Sequence, residues 1–221
     1  MKDAIEIRIN EQELVLLPTG GVFHRVTETL FVTDTHFGKD ATFRKHSIPV
    51  PSGSTRSTIS KITTLLQLTS AKQLIILGDM FHASSSLSDN VVDLLDQFTI
   101  SAHPRLKISL IPGNHDQGIR DLPEQWGINR LEPITTWDGL TLSHFPIKSH
   151  DHISPVLCGH VHPAVRVGST TDQLKLPCFF HRGNHLILPA IGEFTGTKVI
   201  QPKPKDRVWV LADEKVIPWQ I

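Results

Sequence analysis

Apolar and polar positions alternate strictly over Ile5-Glu6-Ile7-Arg8-Ile9, which predicts a half-buried strand. Asn10-Glu11 then turns the chain toward Leu14-Val15-Leu16-Leu17, a hairpin partner. Three later apolar runs share another feature: each stops abruptly at a polar cluster. Thr29-Leu30-Phe31-Val32-Thr33 ends at Asp34, and Leu74-Ile75-Ile76-Leu77 ends at Gly78-Asp79. Leu106 to Ile111 ends at Pro112-Gly113-Asn114-His115-Asp116. Between them lie two helical periods, one marked by Ile59, Ile62 and Leu66, the other by Val91, Leu94, Leu95 and Phe98. Ser86-Leu87-Ser88-Asp89 has the spacing of a capping box before the second helix. Strands alternating with helices imply right-handed crossovers and a largely parallel or mixed sheet.

From about residue 135 short strands follow one another with few helical periods. They are Leu140 to Ser143, Pro155 to Cys158, Ala164 to Val167, Cys178 to Phe180, Leu186 to Leu188 and Val208 to Leu211. Together with the N-terminal hairpin they predict a second sheet stacked on the first. Ala41 to Ser54 reads as a long loop, and Gln201-Pro202-Lys203-Pro204-Lys205 as an exposed connection. Neither has the character of an interdomain linker, so residues 1–221 are expected to form a single domain.

Composition narrows the chemistry. The chain has 221 residues, of which 39% are hydrophobic and 20% charged, as in an ordinary globular protein. Its 22 basic residues balance 22 acidic ones, so no global charge excess points to nucleic acid, although a local basic rim remains compatible with phosphates. Thirteen histidines in a chain without tyrosine direct attention to metals. Cys158 and Cys178 are too few for a disulfide framework and read as buried thiols in a reducing compartment. The N-terminal residues contain no apolar block of the signal-peptide kind, and no apolar run approaches the ~18 residues of a membrane span. A cytoplasmic protein is expected.

Five polar segments each follow an apolar strand: Asp34-Thr35-His36, Gly78-Asp79, Gly113-Asn114-His115-Asp116, Ser143-His144 and Gly159-His160-Val161-His162. In crossover sheets ligands sit beyond the carboxyl ends of the strands, so these segments can converge on one cleft. Imidazole, carboxylate and amide oxygen suit Mn2+, Fe or Zn2+. Phosphate-ester cleavage uses such a cluster: two cations about 3.5–4 Å apart clamp the phosphate and acidify a water, and a bridging aspartate would hold that spacing.

The ordered set Asp-x-His, Gly-Asp, Gly-Asn-His-Asp, His and Gly-His-x-His resembles the calcineurin-like metallophosphoesterases, over residues 34–162. The resemblance implies an α/β fold: two mixed β-sheets packed face to face with flanking helices, a four-layer α/β/β/α sandwich. It also implies that Asp34, His36 and His162 bind one metal, that Asp79 bridges, and that Asn114, His144 and His160 bind the other. His115 becomes the proton donor to the leaving group, with Asp116 orienting its imidazole.

A narrower likeness spans most of the chain. Asp34-Thr35-His36-Phe37-Gly38-Lys39, Phe43-Arg44, Ile48-Pro49-Val50-Pro51, Gly78-Asp79-Met80-Phe81-His82, Gly159 to Ala164 and Leu188 to Gly196 are similar to bacterial ligase-associated DNA-damage-response endonucleases. That family implies a manganese-dependent phosphodiesterase acting on single-stranded DNA, encoded beside an ATP-dependent DNA ligase and a helicase. Two divalent ions are implied, Mn2+ first, with Fe, Zn2+ or Ni2+ as alternatives. One departure stands out: the family often has Glu-Pro after the metal-binding histidine, whereas this chain has Phe145-Pro146.

Other polar residues carry less. His144 is preferred over His150 and His152 because it directly terminates an apolar strand. His24, His46, His103, His181 and His185 read as structural or merely exposed, and His82 stands between a substrate contact and a structural role. Lys39 and Arg44 follow the first ligand loop and are candidates for substrate phosphate, against the commoner reading of solvated charges. Trp126, Trp137, Trp209 and Trp219 are scattered and read as packing residues, and ordinary turn chemistry accounts for the glycines of Gly192 to Gly196. Rival functions are a phosphodiesterase or pyrophosphatase for cyclic nucleotides, nucleotide sugars or lipids, and a non-catalytic binding subunit. The last is disfavoured because no expected ligand is missing. A homodimer is a further expectation.

Overall fold

The computed structural model describes residues 2–102, 106–119, 121–148, 154–168 and 172–220. His103, His150 and His152, considered above, lie outside the described residues.

The first sheet begins as a meander. Strands β1 (Ile5–Ile9), β2 (Gln12–Leu16), β3 (Val22–His24) and β4 (Thr29–Val32) pair antiparallel in succession. Parallel strands β5 (Gln73–Leu77), β6 (Lys107–Ile111) and β7 (Ile128–Arg130) then extend it from β4. Helices α1 (Lys39–Lys45) and α2 (Ser54–Thr69) lie on the crossover between β4 and β5, and α3 (Asp89–Ser101) on that between β5 and β6.

Three local expectations are corrected. The N-terminal hairpin belongs to the first sheet, not the second, because β3 bridges it to β4 through Val15, Phe23 and Leu30. Val22-Phe23-His24 is buried throughout, so it has no alternation to announce it as a strand. Residues 39–45 are helical, so the expected loop is confined to the stretch before Ser54. The capping box is also absent. Ser86 ends a 3-10 turn, where its hydroxyl accepts from Ala83 N at 3.0 Å and contacts the Thr42 hydroxyl, while Ser88 takes the N-cap of α3 without a side-chain bond.

The second sheet contains β8 (Ile134–Trp137), β9 (Leu140–Ser143), β10 (Val156–Cys158), β11 (Pro163–Gly168), β12 (Gln173–Arg182), β13 (His185–Ile187) and β14 (Lys198–Val199). Its order is β14-β11-β12-β13-β10-β9-β8, with β15 (Arg207–Ala212) on β12 and β16 (Lys215–Trp219) on β15. Parallel pairing of β10 with β9 and β13 makes this sheet mixed as well.

Phe31, Ile75, Leu77 and Ile111 from the first sheet pack with Leu142, Leu157, Phe179 and Leu188 from the second. Burying each such side chain stabilises the sandwich by about 1.5–3 kcal/mol relative to exposure. On the other face of the first sheet, Ile62 and Leu65 of α2 and Val91, Leu95 and Phe98 of α3 cover Leu30, Val32, Leu74 and Ile76. Among the described residues the α-helices stand beside this sheet alone, so the helical flank is one-sided. Cys158 and Cys178 are free, buried thiols packed on the far face of the second sheet. Trp126 and Trp209 are buried packing residues, as expected.

Candidate metal centre

Strands β4, β5 and β6 run parallel, as do β9 and β10, so the residues that follow them emerge on common edges. Loop-to-loop bonds lock those exits together. Asp34 N donates to Gly78 O at 3.1 Å, His36 N to Asp79 O at 3.0 Å, and Gly159 N to His144 O at 3.0 Å. Asp34, His36, Asp79, His160 and His162 all adopt positive φ, between 45° and 66°. Left-handed backbone is uncommon for residues other than glycine and persists where the surrounding structure enforces it. Here all five residues carry side chains that converge in the clusters described next. Close approach demands glycine beside these donors as well. A Cβ on Gly78 would stand 2.2 Å from His144 Nδ1, and one on Gly113 would stand 2.2 Å from Asp79 Oδ1.

The side chains gather in two groups. Ligand atoms of Asp34, His36 and His162 lie within 4.8 Å of one another, as do those of Asp79, His144 and His160. A third combination of His36, Asp79 and His115 meets the same limit, which places Asp79 between the two groups. In the second group three atoms surround His144 Nε2: Asn114 Oδ1 at 3.2 Å, His160 Nδ1 at 3.2 Å and Asp79 Oδ2 at 3.4 Å. In the first, His162 Nε2 and Asp34 Oδ1 are 3.0 Å apart yet out of line for a hydrogen bond. Both of those atoms, and both ring nitrogens of His36, are buried without a hydrogen-bond partner among the described residues. Buried polar atoms left unpaired are costly. The unpaired atoms of the first group, and the convergence of Asn114, His160 and Asp79 on His144 Nε2 in the second, fit a divalent cation in each.

Backbone carbonyls set the ring orientations. His144 Nδ1 donates to Leu77 O at 2.9 Å and His162 Nδ1 to Gly196 O at 2.9 Å, which leaves each Nε2 free for a cation. Thr33 Oγ1 (2.7 Å) and His160 N (3.0 Å) hold Asp34 Oδ2 and thereby aim Oδ1 inward. His115 N donates to Asp79 Oδ1 at 2.9 Å. Asp116 does not orient the His115 imidazole. Its carboxylate accepts from Gly113 N, Phe81 N and Met80 N at 2.9–3.2 Å, and the His115 ring instead donates through Nδ1 to His82 O at 2.6 Å. Three backbone donors occupy the buried carboxylate and turn it away from the ring.

The family profile for calcineurin-like phosphoesterases matches residues 27–212. The chain belongs to that family. Its fold is similar to a crystal structure of the Pseudomonas putida nuclease MPE, with a TM-score of 0.85 and 31% identity over 98% of this chain and 100% of that one. The Escherichia coli phosphoesterase Yfce is a distant likeness, at a TM-score of 0.41 and 14% identity over 86% of this chain and 96% of that one. Among curated protein sequences none matches significantly.

The charge balance in this calcineurin-like phosphoesterase follows from burial. Desolvation opposes ionisation of Asp79, but its His144 contact and the His115 N–H outweigh it and hold the carboxyl near about 2. Asp34 is lowered in the same way, against burial, by His162 and His144. Burial likewise disfavours protonated His144 and His162, yet their partners Asp79 and Asp34 raise both. The His36 ring has no hydrogen-bond partner among the described residues, and burial lowers it to about 3.

The rim holds residues that the sequence reading ranked low. His82 stacks on His115 with ring centroids 5.3 Å apart and meets His36 edge-on at 5.7 Å, so it belongs to the centre. Burial and the Lys39 charge lower it to about 4. Gly192 to Gly196 is also part of the site. Gly192 N donates to Asp34 O, Gly196 O accepts from His162, and Glu193 ties the loop to α2 through Lys61 and Ser57. The signal was the Pro-Ala-Ile-Gly-Glu-Phe-Thr-Gly similarity, which composition alone reads as turns. Lys39 is largely buried, its pKa lowered first by that burial, and it acts electrostatically on His36 and His82. Arg44 bonds Asp40 at 3.1 Å. His24 is buried on its own hydrogen bond to Thr27 and takes no part in the centre.

Proposed function

We propose that this phosphoesterase is a dinuclear, manganese-dependent phosphodiesterase that cuts single-stranded DNA internally, as a DNA-repair enzyme. The observation that carries the reading is the arrangement of seven donors in two groups, with Asp79 of the second also within reach of His36 of the first. Likeness over the whole chain to a protein described as a nuclease supports the choice of substrate. In this proposal Asp34, His36 and His162 hold one cation, Asn114, His144 and His160 the other, and Asp79 both. A donor set of imidazole, carboxylate and amide oxygen without thiolate suits Mn2+.

Two such cations supply Lewis acidity to the phosphoryl oxygens and generate a nucleophile from water at neutral pH. The protein's own part is orientation and proton transfer. With Nδ1 committed to the His82 carbonyl, His115 presents Nε2 to the centre, 3.9 Å from Asp79 Oδ2 and half exposed. In the imidazolium form that nitrogen donates a proton to the departing sugar oxygen. Lys39 places a cation beside the first group, where it receives a non-bridging or flanking phosphate oxygen. Arg44, held by Asp40, orders the turn that carries Lys39. An ATP-dependent ligase and a helicase are the proposed pathway partners.

The test is a parallel incubation of pure protein and Mn2+ with circular single-stranded DNA, circular duplex DNA and a 2′,3′-cyclic nucleotide. Linearisation of the first substrate alone is expected. Hydrolysis of the cyclic nucleotide with both circles intact would replace the nuclease reading with a small-molecule one.

A further inference from the structure

Phe145 directly follows His144, one of the donors of the second group. Its ring centroid lies 4.7 Å from that of His144 and 4.6 Å from that of His160, inclined at 76° and 56°. The side chain belongs to none of the three apolar core clusters, and 42% of the residue is exposed. Packing therefore does not account for it, since an aromatic ring left in water forfeits most of its burial energy. Among the described residues the large exposed aromatics are Phe145 and Phe194, and both lie on segments that build the metal centre. The two histidines fix the ring from behind and leave its remaining surface facing out beside His160, itself exposed.

We propose that Phe145 is a stacking platform for a nucleobase flanking the scissile phosphate, and that it makes the centre select unpaired over paired strands. This deepens the polynucleotide reading above and rests on it. Base–aromatic stacking is tolerant of sequence, because every base offers a π face. A base in a duplex is already stacked and paired, so it reaches the ring only after unstacking at a cost, whereas an unpaired base swings onto it freely. An uncharged ring at this position brings no negative charge toward the phosphate backbone and offers a face to the base.

The experiment compares cleavage of an oligothymidylate with that of the same strand made abasic around one defined linkage. Wild-type protein prefers the base-bearing strand. Phe145→Ala and the bulkier, non-aromatic Phe145→Leu should cut that preference by about five- to a hundred-fold, chiefly through KM, while Phe145→Trp keeps it. Binding supplies a second readout: oligothymidylate should quench the added fluorescence of Phe145→Trp over that of wild type. An unchanged preference in both the Ala and Leu variants, or equal losses on the two strands, would overturn the stacking role. A wild-type protein that hydrolyses bis(p-nitrophenyl) phosphate but cuts neither strand would instead defeat the polynucleotide reading beneath it.

Discussion

Asp34 Oδ1 and His162 Nε2 face each other at 3.0 Å without a hydrogen bond between them. In the absence of a cation this pair draws a proton onto the imidazole, and Asp34 indeed raises the His162 pKa. Asp79 does the same to His144. Metal and proton thus compete for the same nitrogens. Metal loading is expected to release protons, and affinity for Mn2+ is expected to fall as pH drops through the raised histidine values. Titration calorimetry in two buffers of different ionisation enthalpy measures the release. Affinity that is flat from pH 8 to pH 6 would contradict it.

Asp79 belongs to the second donor group and, with His36 and His115, to the combination that links it to the first, so its loss should cost more metal than loss of any peripheral ligand. Asp79→Ala is expected to reduce bound Mn2+ well below two equivalents and to abolish measurable turnover. His162→Ala should spare the second group, retaining about one equivalent. Elemental analysis of the dialysed proteins decides the matter, and two equivalents in Asp79→Ala would remove the bridging assignment.

His115→Ala should slow cleavage of an alkyl phosphodiester by about 10²–10⁴-fold, the usual range for a lost general acid. A p-nitrophenyl ester, whose leaving group needs no proton, should lose far less. Equal losses on both substrates would contradict proton donation from Nε2.

Asp116 is a structural carboxylate, by the three backbone donors it satisfies. Asp116→Ala leaves those buried N–H groups unpaired and is expected to cost about 3 kcal/mol or more in urea unfolding. Its leaving-group dependence should stay like that of wild type. A stable Asp116→Ala protein with the leaving-group profile of His115→Ala would restore the relay between these neighbours.

His181 supplies a pH dependence away from the centre. Burial, followed by the charge of Arg207, lowers its pKa to about 4 in the folded protein. Unfolded, it takes up a proton near pH 6.5. Between those values the unfolded chain binds more protons, so stability falls as pH drops from about 6.5 toward 4. His181→Asn should flatten that part of the metal-free stability profile, followed by thermal melts across the range. An unchanged slope would show that other groups cause it.

Much of this was legible in the amino-acid order. Each proposed ligand follows an apolar run directly or within a few residues, so strand ends and donor types could be read together, and the resemblance ordered them into two groups. The alternation of Ile5 to Ile9 and the spacing of Val91, Leu94, Leu95 and Phe98 likewise announced their elements, since a half-buried strand and a one-faced helix impose periods of two and 3.6. What the sequence by itself determined was therefore the chemistry available and the strands that present it.

Only the tertiary structure decided how those groups are held. Val22 to His24 is covered on all sides, leaving no period to read, yet it assigns the N-terminal hairpin to the first sheet. The left-handed backbone at five donors, the carbonyls of Leu77, His82 and Gly196, and the turning of Asp116 toward Gly113 depend on contacts between distant segments. Main-chain oxygens and nitrogens are the same at every position, so side-chain order does not reveal which of them will meet a histidine. Those pairings exist only once distant segments pack together, and that of His144 with Leu77 only once the two sheets close on each other.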